Sequence, residues 1–290
     1  MTGSPGRRGS PLPPTRPCPV CGVRLFTGGA AAGQAGPLRP RPVRCTACEL
    51  VFIDPLPAAA LSPAAYGPEY YEPWQAREEV PRTALWRRRL RQIAHRASVG
   101  SLLDVGCGDG LFLSLARQAG WAAEGIEFSP EGARRASLRL GRPVAVGDLS
   151  RERGLRGPFD VVTLWHVLEH LAAPGAMLDA ARQRLAPGGL LVVAVPNLDN
   201  LPMRAAYRVV RRRPLPLYEE EAREPHLSHF SPVTLGRALE RHGFTAVRVE
   251  ADRCALAPAK KALDALAALL SRLCGRLLTD AIVAFARAPR

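Results

Sequence analysis

Carboxylates, glycines, cysteines and histidines recur in this chain at spacings that could carry chemistry. Asp104 leads into "DVGCGDG" (104–110), where an apolar run breaks into three alternating glycines, Gly106, Gly108 and Gly110. Glycine turns after strands usually offer backbone N–H groups to a phosphate. A carboxylate at the mouth of such a turn repels phosphate strongly at low effective dielectric and favours a ligand whose near end is a cation. The spacing G-x-G-x-G also departs from the dinucleotide pattern G-x-G-x-x-G. The glycines would let that ligand lie flat on the backbone, where side chains would otherwise fill the space.

Two further acids stand in register. Glu127 ends the next expected strand, where it could accept hydrogen bonds from ribose hydroxyls, and Asp148 ends the third, where it could take an adenine amino group. A ligand with a cationic end, a ribose, an adenine and no phosphate is S-adenosylmethionine. Phe128 and Leu149, each directly after one of these acids, and Trp165 at the end of the fourth expected strand complete the expected cofactor contacts.

The second constellation is four cysteines in two C-x2-C turns, Cys18 and Cys21 in "CPVC" and Cys45 and Cys48 in "CTAC". Two such turns complete a tetrahedral zinc site with no open position, which makes the metal structural and not catalytic. So short a segment has too little apolar core to fold alone, and metal binding could supply on the order of 10 kcal/mol. Cys107, Cys254 and Cys274 have no partner at useful spacing and are read as small apolar fillers.

Histidines supply the candidate bases, needed if a hydroxyl or an acidic carbon is to react. His166 follows the fourth expected strand, and His226 and His229 flank "LS" after an irregular segment; His166 or His229 is the preferred base. His170, inside "LEHL", is given a packing role, and His242, just before a helix stop, a surface one.

These residues need a frame, and from residue 99 the chain provides an alternation. Seven apolar runs, from "SLLDVG" to "AIVAFAR", are separated mostly by amphipathic stretches with helix starts such as Ser129-Pro130 and Ser231-Pro232. The pattern predicts an α/β fold, a Rossmann-like seven-stranded, mostly parallel sheet with helices on both faces, preceded by a small zinc ribbon. The expected organisation is a disordered tail (1–16), the ribbon (17–57), an aromatic and basic helical linker (58–98) and the main domain (99–290). After Asn197 the rhythm fails, and 198–230 is read as a cap insertion without clear period, its last residues leading back into regular structure.

The positive charge behind the net +14 is almost all arginine, spread over the whole chain, with two local concentrations at "WRRRLRQIAHR" (86–96) and "RAAYRVVRRR" (204–213). Solvated helix faces are the default reading, with an anionic substrate, a membrane surface or RNA as alternatives. Near the C-terminus Leu263, Leu266, Leu270, Leu273 and Leu277 form a helical stripe, read by default as packing on the protein's own core; a dimer seam or a membrane-surface helix is the alternative. No apolar run reaches the ~20 residues of a membrane span, and the N-terminal residues lack the apolar segment of a secretory signal, so a cytoplasmic protein is expected.

The ordered motifs "LLDVGCGDG", "GIEFS", "FDVVTLWHVLEHL", "LAPGGLLVVAVPN" and "HLSHFSPVTLGRALERHGF" resemble those of class I S-adenosylmethionine-dependent methyltransferases over residues 99–290. With the cysteine turns and "YGPEYYE" (66–72) in front, the chain is similar to bacterial zinc-ribbon methyltransferases, some of which modify sugars or other small molecules. The resemblance implies S-adenosylmethionine as cofactor and a pre-strand segment closing over the site, bringing Tyr70 and Tyr71 to cofactor or acceptor. "HVLEH" also resembles quinone-pathway O-methyltransferases, which hold a divalent metal there. Glu169 and His170 match, but His166 stands where the first acid would be, so no catalytic metal is expected. The reading is methyl transfer to oxygen or carbon of a small molecule such as a sugar nucleotide, whose diphosphate would suit the arginines at 208–213. An RNA methyltransferase and a non-catalytic zinc-ribbon interaction protein are the alternatives; a monomer or homodimer is expected.

Overall fold

The computed structural model describes residues 15–27, 39–57, 66–76, 78–152, 154–155, 157–219, 222 and 224–290. Its main sheet contains β4 (Ser101–Val105), β5 (Ala122–Glu127), β6 (Ala145–Val146), β7 (Phe159–Trp165), β8 (Leu185–Pro196), β10 (Thr245–Asp252) and β11 (Ala281–Arg287). The order is β10-β11-β8-β7-β4-β5-β6, parallel except at β11, which runs antiparallel to both neighbours. Leu191 to Val195 in β8 are all fully buried, as a strand covered on both faces requires.

The helices follow their sequence signals. In α4 (Pro130–Leu140), Ser129 Oγ accepts from Gly132 N at 3.2 Å and Gly141 ends the helix at φ 65°. In α7 (Pro232–Arg241), Ser231 and Thr234 form a reciprocal cap. The segment 198–230, expected to lack regular structure, contains α6 (Leu201–Arg211). Asn200 caps it, accepting from Met203 N at 3.0 Å, and Pro202 sits in its first turn.

The cysteine segment is bound to the main sheet far more closely than an independent ribbon would be. β1 (Phe26–Thr27), β2 (Arg41–Cys45) and β3 (Val51–Asp54) form an antiparallel ladder whose fourth strand is β9 (Ser228–His229). Val51 pairs with His229 and Phe52 with Ser228, and Ile53 N donates to Leu227 O at 2.9 Å. The first cysteine turn is held by its carbonyls: Pro19 accepts from Gly175 N, Val20 from His242 Nε2 and Cys21 from Arg241 Nη2, at 3.1–3.2 Å. His242 therefore bridges ribbon and domain instead of lying on a free surface. Residues 1–14 of the expected tail lie outside the described residues, but Thr15 and Arg16 are anchored. Thr15 donates twice to Asp54 at 2.8 Å, and Arg16 reaches Ala172 O and Ile53 O.

Between ribbon and sheet lie α1 (Pro68–Ala76) and α2 (Glu79–Ala94). The arginines of α2 are only in part a solvated face. Arg87 and Arg91 do face solvent, but Arg82 grips Asp109 of the glycine turn with two bonds of 3.0 and 2.8 Å, and Arg96, just beyond α2, donates to Glu250 at 2.6 Å. Arg89 is fully buried, paired with Asp252 and stacked between the rings of Trp86 and Trp165. The C-terminal stripe also departs from expectation. In α8 (Pro258–Cys274) the buried side carries Asp264 and Ala267; of the stripe, Leu263 and Leu277 are half-buried and Leu277 packs on the core, while Leu266, Leu270 and Leu273, with Leu269, face outward.

Candidate active site

β4 is the strand at which the sheet order reverses, with β5 and β6 on one side and β7 and β8 on the other. Ligands of open α/β sheets bind beyond the strand C-termini at this point, and the three acids converge on that edge. Asp104 is 2% exposed and accepts from Thr163 Oγ1 at 2.6 Å. Burial raises its carboxyl to about 8, against the opposing effects of the Thr163 hydroxyl and the Arg89 charge. Glu127 is buried too and accepts from Gly108 N at 2.7 Å and Ser129 N at 2.9 Å; burial raises its carboxyl while these N–H groups oppose the rise.

The glycines have local reasons that the sequence did not show. Gly106 (φ 72°) has no room for a Cβ because Val167 Cγ2 would lie 2.5 Å away, and at Gly110 (φ 76°) a Cβ would meet the backbone of Ala136 at 2.9 Å. Neighbouring protein, not a ligand alone, demands glycine at both. Gly108 (φ 56°) presents its N–H to Glu127. Beside these residues Phe128 stands 41% exposed, Asp148 is half-buried with Oδ1 accepting from Ser150 N at 2.8 Å, and Leu149 is a core residue. Trp165, expected against the cofactor, sits in an edge-to-face cluster with Trp86 and Phe112 and is almost fully buried. Tyr71 covers Glu127: a Cβ at Gly132 would meet Tyr71 Oη at 2.4 Å and Glu127 Cγ at 2.9 Å.

The histidines face this edge from the other side. Leu227 N donates to Glu169 O at 2.7 Å, joining the segment before β9 to the turn after β7. His170 and His226 have ring centroids 4.9 Å apart, and His226 and His229 6.1 Å. His166 is not a free base in this arrangement. Arg89 Nη2 lies 3.1 Å from its Nε2, which must then be the acceptor, and Nδ1 lies 3.4 Å from Glu169 Oε1. His229 is buried, and its Nε2 has no hydrogen-bond partner among the described residues. Burial, with the nearby His226, pushes His229 down to about 4, and burial likewise lowers His226. Both are neutral imidazoles at pH 7.

Glu169 is the residue whose environment the sequence least disclosed. It is 1% exposed, and neither carboxylate oxygen has a hydrogen-bond partner among the described residues. Burial would raise its carboxyl, but His166, His170 and His226 hold it below the usual range. Donor atoms of Glu169, His170 and His226 lie within 4.8 Å of one another, so His226 stands where "HVLEH" lacks a third donor. His166, Asp252 and Cys254 form a similar group. Asp252 ends a strand, the same signal that identified the other acids.

A family model described as a methyltransferase domain matches residues 76–249. The chain belongs to this methyltransferase family. The S-adenosylmethionine-dependent family that its motifs resemble is thus the one found. Among similar proteins, the ubiquinone biosynthesis O-methyltransferase of Caulobacter sp. (strain K31) is 38% identical over 104 residues, covering 33% of this chain and 40% of the relative. That of Xylella fastidiosa (strain M23) is 36% identical over 119 residues, covering 38% and 48%. The chain spans less than half the length of these curated relatives. The fold is shared with a SAM-dependent methyltransferase from Archaeoglobus fulgidus (TM-score 0.52, 19% identity, 76% of this chain and 98% of the other). It is also shared with phosphoethanolamine N-methyltransferase 2 of Haemonchus contortus, solved with S-adenosyl-L-methionine (TM-score 0.50, 13% identity, 71% and 53%).

Proposed function

We propose that this methyltransferase transfers the methyl group of S-adenosylmethionine to an oxygen of a small-molecule acceptor. The observation that carries the reading is the convergence of Asp104, Glu127 and Asp148 on one sheet edge, opposite the buried histidines of the β9 segment. S-adenosylmethionine, when bound, supplies an already activated methyl group, so the protein's task is orientation and exclusion of water. Asp104 takes the cationic end of the cofactor. Glu127, whose oxygens each keep a second lone pair beyond the bonds from Gly108 and Ser129, takes the ribose hydroxyls. Asp148 takes the adenine amino group, with Phe128 and Leu149 along the base. His229, neutral and with Nε2 unengaged, accepts the acceptor's proton; His226 is its neighbour in that role.

Oxygen is preferred over carbon because the similar curated proteins are named O-methyltransferases. A sugar nucleotide gains no support, since Arg208, Arg211, Arg212 and Arg213 are all exposed. The buried Glu169, ringed by His166, His170 and His226, favours one addition: a divalent cation held by Glu169, His170 and His226 would polarise the reacting oxygen as a Lewis acid. Cys18, Cys21, Cys45 and Cys48 fit a structural zinc. Their Sγ atoms approach as closely as 3.5 and 3.6 Å, near the ~3.8 Å edge of a tetrahedron with ~2.3 Å Zn–S bonds.

The test is transfer of labelled methyl from S-adenosylmethionine into small-molecule and RNA fractions by the full chain. Label in the small-molecule fraction, lost on His229→Ala with cofactor binding retained, is expected. Label confined to RNA, or no transfer to either fraction, would contradict the reading.

A further inference from the structure

Helices α6 and α8 pack against each other at the sheet edge that bears the site. They rise from the C-terminal ends of β8 and β10, and their bases are locked together. Asn197 Nδ2 donates to Leu277 O and Thr279 O at 2.9 and 3.0 Å, and Asn200 Nδ2 donates to Asp280 Oδ1 at 2.7 Å. Their outward faces are apolar. Val209 and Val210 on α6 are 79% and 76% exposed, and Leu266, Leu269 and Leu273 on α8 are 49%, 54% and 76% exposed. Positions 266, 269 and 273 share one helical face, so the leucines make a ridge. A helix that presents leucine outward and buries its only acid, Asp264, reverses the arrangement of an ordinary surface helix.

Among the described residues of the two helices, the ridge is flanked by cations. Arg208 and Arg211 on α6 and Lys260, Lys261, Arg272 and Arg276 on or just beyond α8 are exposed, and none is in an ion pair among the described residues. Asp264 is occupied by Asp280 N at 3.1 Å, and Glu219, beyond α6, is taken by Arg213. We propose that the joint face of α6 and α8 docks on an anionic lipid surface, leucines and valines entering the acyl boundary and the cations lying among the headgroups. A second copy fits poorly, because a two-fold contact would bring these cations against their own duplicates. RNA would satisfy the cations but leave the leucine ridge in water. The docking does not depend on the proposed function. Its consequence, that an acceptor borne by the membrane meets the site from the docked face, does.

The experiment is co-sedimentation of the full chain with vesicles of phosphatidylcholine alone and of phosphatidylcholine with phosphatidylglycerol. The expected result is pelleting with the anionic vesicles only, reduced by high salt. The double variant Leu269→Glu/Leu273→Glu alters only exposed side chains, and its fold is checked by circular dichroism; it should lower partition at least about tenfold. Lys260→Glu/Lys261→Glu should weaken the preference for anionic vesicles. No pelleting with either vesicle, or equal pelleting by the leucine variant, would overturn the proposal. So would RNA retardation without vesicle binding, or a dimer that the leucine variant dissociates.

Discussion

Asp104 carries a prediction that separates binding from mere presence of a carboxylate. Its carboxyl is raised to about 8 by burial, so below that pH the free protein holds a proton there. A cationic ligand end favours the carboxylate, so cofactor binding should release a proton, and affinity should rise with pH up to about 8. Titration calorimetry in buffers of different ionisation enthalpy reads this directly; binding heats independent of buffer would count against it. His229→Ala should lower kcat by ~10²–10⁴ while leaving cofactor affinity unchanged. With His229 held at about 4, the acid limb it contributes to kcat should lie near pH 4 and not near 6.5. At this scale the acids were legible because each ends an apolar run. The contact that engages His166 was not, because it depends on Arg89 reaching across from α2.

At the scale of elements, the ladder from ribbon to active site matters most. Cys48 lies three residues before Val51, Val51 pairs with His229, and Leu227 bonds to Glu169. Chelation of zinc, or Cys45→Ser, should therefore raise hydrogen exchange at residues 226–230 as well as in the ribbon. Protection at 226–230 that survives loss of the metal would show that β9 stands without the ribbon. The Arg82–Asp109 pair fixes α2 on the glycine turn, and Arg82→Ala, which leaves the buried Asp109 with the Leu111 N–H at 3.3 Å and the longer Arg139 contact at 3.5 Å, should cost about 3 kcal/mol in urea denaturation. The long strands and capped helices were readable from period and caps. β9 was not, because two residues have no period and their partner strand lies near the other end of the chain. α6 could have been found from Asn200 and Pro202, but the surrounding arginines and prolines hid its period.

For the whole molecule, one apolar core runs from Cys18, Val20 and Phe52 of the ribbon through Phe230 and Leu235 to Val193 and Ile282 of the main sheet. The expected boundary at residue 57 is therefore not a break in packing, and calorimetry should show one cooperative unfolding transition, with two separated transitions as the contrary result. The net charge of +14, uninformative as a total, resolves once positions are known. Part of it is buried in α2 as ion pairs, and part surrounds the apolar ridge of α6 and α8. Composition could not separate the two, since arginine is the residue type in both the buried clamp and the exposed face. Among the described residues no helix is long and apolar enough to cross a membrane.

The acid-lined sheet edge as cofactor site is tested most directly by calorimetric titration of S-adenosylmethionine into the full chain and its Asp104→Ala variant. Saturable binding by the wild type, weakened at least ~tenfold in the variant by loss of a charge-assisted contact, is the predicted result. No binding by the wild type, or equal affinity in the variant, would contradict it.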